Sequence, residues 1–511
     1  MKQLSLFVLL LCFYTSHAQV AGTLDSTFNN NGKLVTSFDF YSSFQDVLVQ
    51  ADGKILLAGT GGSGSAYNFY VVRLNTNGTY DNTFGTNGKV SIDFFNDYDQ
   101  ATTIGLQSDG KIIIGGKAFK TGNLFDFALA RLSSSGVLDN TFGTGGKLTV
   151  DFNGNNDEGG KMVIQSDDKI VLTGTSAGAT TGGFGTIRCT ANGALDASFN
   201  STGTVITLFP NGVATGTAAA VQADGKIVLC GANNIAGYPH LALARYNANG
   251  TIDAAFGTNG IVVYNASGPS STAGAVKIQA DGKIIAAGAV INTAGDILLY
   301  RCLPNGSADA SFGTNGAVAK DLGATESANR LLLLSDGSYV VAGLMNTGSD
   351  NNFMVARFDA AGTINPNFGT NGFTTCAMST QMSSPNDGIN GLAIASDGKL
   401  VAAGYAGNDA GVIRLHNSGT EANAITEVET NAGLLLSPNP ASSTLNLHFS
   451  TPTLSTTTIT VFAMNGQVCL QQQVESGCIN KSIAVETLAS GMYLLQVANA
   501  NGVQQLKWMK E

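Results

Sequence analysis

Residues 73–88 read Arg73-Leu74-Asn75-Thr76-Asn77-Gly78-Thr79-Tyr80-Asp81-Asn82-Thr83-Phe84-Gly85-Thr86-Asn87-Gly88, and variants of this stretch recur along the 511-residue chain. The Phe of its anchor, Leu-Asp-x-x-Phe-Gly-x-x-Gly in outline, falls at Phe28, Phe84, Phe142, Phe199, Phe256, Phe312 and Phe368, with spacings of 56, 58, 57, 57, 56 and 56. A fixed period of this length marks a repeat architecture. An Arg closes the apolar run of each unit: Arg73, Arg131, Arg188, Arg245, Arg301, Arg357 and Arg414. Eight residues after the first six stand Asp81, Asp139, Asp196, Asp253, Asp309 and Asn365. The constant spacing of base and acid reads as an ion pair supporting each unit, not as a ring of free cations. A third anchor, Asp-Gly-Lys, begins at Asp52, Asp109, Asp167, Asp224, Asp281, Asp336 and Asp397, with Asp168 replacing Gly in the third copy and Ser338 replacing Lys in the sixth.

Between anchors the period is that of strands. In the first unit 33–38, 45–50, 54–60 and 68–75 are β-branched or apolar runs separated by turn residues. Asp52-Gly53 is a tight hairpin signal, because Gly supplies the positive φ that primed turns need. No helical apolar period runs through the units, which excludes a helical solenoid. Four antiparallel strands written seven times predict an all-β fold, a seven-bladed β-propeller over 22–420. The seventh Arg, Arg414, has Ala422 eight residues on, and the missing Leu-Asp-x-x-Phe segment stands at the other end of the chain as Leu24-Asp25-Ser26-Thr27-Phe28. We therefore expect strand 33–38 to complete the last blade and Arg414 to pair with Asp25. A ring closed in this way exposes no strand edge at the seam.

The composition follows from the repeat. Gly is 64 of 511 residues, hydrophobic residues are 43% and charged residues only 12%. That much apolar content with so little charge excludes a disordered chain and a coiled coil. The net charge of -10 leaves no basic footprint for nucleic acid.

Residues 1–18 read as a secretory signal: Lys2, an apolar run over 4–14, then Ser16-His17-Ala18 as a small-x-small cleavage site. No later run of about 18 apolar residues exists, so no membrane span is expected in the mature chain. Cys189, Cys230, Cys302 and Cys376 are scattered singly and read as small buried hydrophobes. Cys469 and Cys478 flank an expected hairpin, where geometry decides whether a disulfide forms.

The repeated Leu-Asp-x-x-Phe-Gly, Asp-Gly-Lys and Ala-Arg-Leu elements resemble the delta-60 repeat, a β-propeller family of bacterial surface and secreted proteins. The resemblance implies a fold and brings no activity. Beyond a polar linker at 421–432, residues 433–511 hold short strands at 444–449, 458–463, 467–472, 479–485, 493–498 and 503–509, the spacing of a small immunoglobulin-like β-sandwich. Leu436-Ser437-Pro438-Asn439-Pro440, Met464-Asn465-Gly466-Gln467-Val468, Leu488-Ala489-Ser490-Gly491-Met492-Tyr493 and the basic Lys507 and Lys510 are similar to the C-terminal sorting domain of the type IX (Por) secretion system of Bacteroidetes. This likeness implies the type IX machinery as partner, passage through the periplasm, and a cargo left on the outer-membrane surface or released.

Little in the chain suggests catalysis. His240, His416 and His448 lie in different blades or domains, and no GxSxG, HExxH, Walker A or EF-hand loop is present. We expect no enzyme activity, no catalytic residues, no cofactor and no metal site. In such a meander the Asp-Gly-Lys and Leu-Asp-x-x-Phe turns share one face and are uniform. The opposite face carries segments that differ in every unit: 39–44, 95–100, 153–158, 210–215, 265–272 and 375–390. Function sits on loops displayed by a rigid scaffold, so the candidate ligand face is this one. Its first three blades concentrate Asp39, Tyr41, Phe95, Asp97, Tyr98, Asp99, Asp151, Asn155, Asp157 and Glu158. Aromatic rings suit sugar faces, and carboxylates and amides suit sugar hydroxyls or a hard cation such as calcium. The expected function is a secreted or cell-surface binding module for a glycan or a protein. The alternatives are a propeller enzyme such as a lyase or glycoside hydrolase, and a passive structural or adhesive protein.

Overall fold

The computed structural model describes residues 20–418, apart from 65, 121–123, 153, 155, 178–181, 265–269, 292–294, 349 and 379–385, and residues 434–510, apart from 438–440, 450–452, 454–455, 464–467, 490 and 500–501. The expected signal at 1–18, the linker at 421–432 and Asn155 lie outside the described residues. The chain divides into two compact units, 1–419 and 420–511.

The first unit consists of seven four-stranded antiparallel sheets. In blade 1, Tyr41–Val49, Ile55–Ser63, Ala66–Leu74 and Lys89–Ile92 pair in that order. The leading strands of the blades are Tyr41–Val49, Asp99–Leu106, Asn156–Ile164, Gly212–Val221, Ser270–Ile278, Thr325–Leu333 and Asp387–Ile394. Each packs against the leading strands of the blades on either side, so together they wall a central channel. The core lies between blades: Leu56, Phe69 and Val71 of blade 1 pack with Ile104, Ile112 and Ala130 of blade 2.

Each leading strand carries one irregularity of register, for example between Phe44 and Asp46, Ala101 and Thr103, and Ala328 and Arg330. Such a β-bulge bends the strand and re-aims its side chains. It also presses a carbonyl onto the second strand, where each blade has a Gly. A Cβ on Gly288 would sit 1.8 Å from the Thr272 oxygen, and one on Gly59 2.0 Å from that of Ser43. Because of the bulge the leading strands begin earlier than apolar alternation predicts. Residues 41–44 are strand, not loop.

Strand Lys33–Thr36 pairs with Asp409–Leu415 and completes the seventh blade, as expected. Arg414 Nε donates to Asp25 Oδ2 at 2.7 Å. The five local pairs are alike: Arg73–Asp81, Arg131–Asp139, Arg188–Asp196, Arg245–Asp253 and Arg301–Asp309 lie at 2.8–2.9 Å. Each Arg also reaches the next blade, Arg73 to the Ser134 carbonyl at 2.6 Å and Arg131 to that of Ala191 at 2.7 Å, and Arg414 returns to the Thr76 carbonyl of blade 1. The Lys of Asp-Gly-Lys meets the same acid, as in Lys54–Asp81 at 3.0 Å and Lys399–Asp25 at 3.2 Å.

In the second unit, Leu434–Ser437, Thr444–Phe449 and Asn480–Ala484 form one sheet, and Val468–Val474, Thr457–Ala463, Gly491–Asn499 and Gly502–Lys510 the other. Leu445, Leu447 and Ile483 of the first share a core with Ile459, Val461, Leu495 and Trp508 of the second, which makes a β-sandwich. The expected hairpin between Cys469 and Cys478 is not formed. The strand that contains Cys469, Val468–Val474, pairs with Thr457–Ala463, and the strand after Cys478, Asn480–Ala484, pairs with Thr444–Phe449 in the other sheet. No disulfide joins the two cysteines.

Candidate functional site

The variable face of blades 1 and 2 carries a continuous run of half-buried aromatic rings. Tyr41 at the head of a leading strand meets Tyr67 edge-on at 5.9 Å, and Tyr67 meets Tyr98 at 4.7 Å. Tyr98 meets Phe125 at 5.7 Å, and Phe125 meets Phe119 at 5.2 Å. The backbone fixes this order: Tyr67 N–H donates to the Asp97 carbonyl at 3.2 Å and Phe119 N–H to the Tyr98 carbonyl at 2.9 Å. Lys117 stands over the Phe125 ring, 4.5 Å from its centroid, and pairs with Glu158 at 3.3 Å. Burial, then the Tyr41 and Tyr67 phenols and Glu158, hold the Tyr98 hydroxyl above the ordinary phenol range. It therefore stays a neutral donor and acceptor near pH 7. Phe40, beside this run, is 79% exposed.

The expected site residues part into groups. Tyr41, Tyr98 and Glu158 come together in the aromatic run. Phe95 lies to its side, under Lys120 at 5.6 Å. Asp39, Asp97 and Asp151 accept nearby loop N–H groups, of Phe40, Tyr98 and Gly154 respectively. Asp99 and Asp157 are fully buried between blades, where one oxygen of each accepts the N–H of Phe94 or Phe152 at 2.6 and 2.7 Å. Ser42 and Asp387 do the same for Phe38 and Met378, so this column of the repeat caps the loop entering blades 1, 2, 3 and 7. Burial drives Asp99 up to about 7 against the pull of the Phe94 N–H, and raises Asp157 to about 6. The carboxylates of Asp126, Asp151 and Asp157 bring oxygens within 4.8 Å of one another, as do those of Asp296, Asp321 and Glu326 three blades on. Oxygen donors of this kind are what a hard cation would use.

Tyr67, Phe119, Phe125 and Lys117 escaped the sequence reading because they lie on the hairpins between second and third strands, not on the inter-blade segments. A signal was present. Six residues before the Arg anchor stand Tyr67 and Phe125, where later units have Gly182, Pro239, Gly295, Asn351 and Asn408.

Matches to known families agree with this architecture. The domain of unknown function (DUF5122) β-propeller model matches residues 50–84, 107–142, 165–199, 222–256, 279–312, 334–368 and 395–420. The chain is a DUF5122 β-propeller. The secretion system C-terminal sorting domain model matches residues 436–511, so this propeller is a type IX export cargo. No curated protein matches the DUF5122 chain. Among solved structures it is similar to a polysaccharide lyase of family PL25, an ulvan lyase, with 11% identity, a TM-score of 0.45, and coverage of 76% of this chain and 97% of that one. It is also similar to Sqt1 of Chaetomium thermophilum, with 13% identity, a TM-score of 0.40, and coverage of 75% and 97%. Likeness at this level carries no argument about ligand or activity. Among the described residues no helix is long and apolar enough to cross a membrane.

Proposed function

We propose that this exported propeller binds a glycan on its variable face, across the aromatic run of blades 1 and 2. The observation that carries the reading is the contiguity of Tyr41, Tyr67, Tyr98, Phe125 and Phe119, half-buried rings that meet edge-on or tilted from ring to ring and are flanked by the Lys117–Glu158 pair. Blades 3 to 7 are built without aromatics at the Tyr67 position, so the fold does not need them. Rings with one open face stack on sugars, while phenols, an ammonium and a carboxylate answer sugar hydroxyls. The face is read as binding, not catalytic, because its deepest acids, Asp99 and Asp157, hold loop N–H groups. The product of export is read as a surface-held or released module.

The test is titration of the full-length chain against a glycan panel, read by calorimetry and by melting temperature. A binding glycan should lose at least tenfold in affinity with Tyr67→Ala combined with Tyr98→Ala, and nothing with Thr79→Ala on the uniform face. Absence of any glycan ligand, or equal binding by the double variant, overturns the proposal.

A further inference from the structure

Between blades 2 and 3 three carboxylates converge from separate places in the chain. Asp126 lies on the third strand of blade 2, Phe125–Leu132, Asp151 just after the fourth, Lys147–Val150, and Asp157 on the leading strand of blade 3. One oxygen of each lies within 4.8 Å of the other two. Asp151 is exposed, Asp126 half-buried and Asp157 fully buried, so the group runs inward from the surface. Among the described residues no base pairs with any of the three, and Asp126 accepts no hydrogen bond. The lysines of the same blade are engaged elsewhere: Lys117 with Glu158, Lys111 with Asp109, Lys120 over the Phe95 ring and Lys147 at the Asp93 carbonyl.

The buried member shows what the group lacks. Asp157 gives Oδ2 to the Phe152 N–H at 2.7 Å, while its buried Oδ1 has no hydrogen-bond partner. A carboxylate oxygen left so is costly. Ser176 stands directly opposite Asp157 in the strand ladder, which brings its buried hydroxyl to the same side as a further oxygen. The corresponding acids between blades 5 and 6, Asp296, Asp321 and Glu326, are finished differently. Glu326, one methylene longer, gives Oε2 to the Leu322 N–H at 3.3 Å and Oε1 to the Ala324 N–H at 2.9 Å. Between blades 1 and 2, Asp93 and Asp99 recur, but Asn68 stands where blade 2 has Asp126, five residues before the Arg anchor. The fold therefore does not need the third carboxylate.

We propose that Asp126, Asp151 and Asp157 hold a calcium ion between blades 2 and 3. Calcium takes six to eight oxygens in a flexible shell, so three carboxylates from two blades suffice when water from the open Asp151 side completes it; magnesium demands a near-ideal octahedron and parts reluctantly with its waters. Behind burial, the Asp151 and Asp126 carboxylates also work to raise Asp157. These are like charges gathered without a counter-charge, which a cation relieves. The site has no motif because its ligands lie 25 and 6 residues apart on three elements, and for that reason the sequence led us to expect no metal. It does not rest on the glycan reading.

The experiment titrates the full-length chain, stripped with EDTA at neutral pH, with calcium chloride and with magnesium chloride at equal ionic strength, read by calorimetry and melting temperature. Calcium should bind with saturation and raise the melting temperature, and magnesium should bind at least tenfold more weakly. Asp126→Asn should weaken calcium binding at least tenfold, as should Asp151→Asn, which keeps an acceptor for the Gly154 N–H. In EDTA, Asp126→Asn relieves the repulsion and should melt above the unsubstituted chain; in saturating calcium that order should reverse. Asp296→Asn, at the corresponding place in blade 5, should leave the calcium response intact. No saturable calcium response, an equal response to magnesium, or a response unchanged in Asp126→Asn and Asp151→Asn overturns the site. Tyr67→Ala with Tyr98→Ala should leave calcium binding unchanged, so failure of the glycan reading and failure of this one are distinguishable.

Discussion

Arg357 is the anchor whose partner the repeat has changed. In the other blades one carboxylate serves both an Arg and the Lys of Asp-Gly-Lys; in the sixth, Asn365 and Ser338 replace acid and Lys together. Loss of the acid alone would have left two cations facing each other, so the two departures balance. Arg357 turns to Asp336 at 2.9 Å, and its buried Nε is left without a partner. Asn365→Asp should therefore stabilise the chain by about 1 kcal/mol, the worth of a hydrogen bond to a charge in partly exposed surroundings, measured by denaturant unfolding. Arg73→Ala, by contrast, takes one of two cations from Asp81, leaving Lys54 at 3.0 Å, and frees the Ser134 carbonyl, and should cost about 1–3 kcal/mol.

The buried acids have opposite pH signatures. Burial works to raise Asp25, but the Thr27 hydroxyl and N–H, then Arg414 and Lys399, bring it down to about 2. Its stabilisation is complete above the unfolded carboxylate value near about 4 and is lost as pH falls through 2. Asp99 is raised to about 7, so the folded chain holds a proton the unfolded chain has released, and stability falls as pH climbs from about 4 to 7. Asp99→Asn keeps an acceptor for the Phe94 N–H without the charge. Its melting temperature should fall less over that interval than that of the unsubstituted chain.

At the scale of elements, the closing strand and the bulges decide whether the ring forms. Removing 20–36 deletes Asp25 and the strand paired with Asp409–Leu415. It bares a strand edge, and the variant should show a lower melting temperature and aggregation by light scattering. Gly288→Ala would force the Thr272 carbonyl away from the second strand, at about 1–3 kcal/mol for overpacking. The blade count, the Arg and Asp anchors and the closure were legible in the sequence because each repeats at nearly constant spacing. The bulges were not, since an extra residue in a polar stretch leaves no mark on apolar alternation. Asp99 and Asp157 looked like loop acids for the same reason: sequence shows an acid near a turn, not whether its carboxylate points outward or caps an N–H between blades. The aromatic run was half legible, Tyr41 and Tyr98 from the inter-blade segments, Tyr67 and Phe125 only by comparing one column of the repeat.

At the scale of the molecule, the repeated half of each unit builds the ring, and the unrepeated half carries what is particular to this protein. The sorting sandwich directs that ring outward. Deleting 433–511 should leave the propeller in the periplasm and absent from the surface and medium, as followed by fractionation; unchanged display would remove the export reading. The central claim is that recognition belongs to the variable face. Hydrogen exchange measured by mass spectrometry on the full-length chain, with and without a bound glycan, tests it most directly. Protection should appear in peptides covering Phe38–Phe44 and Phe94–Gln100, with none at the Asp-Gly-Lys turns. Protection confined to those turns would contradict it.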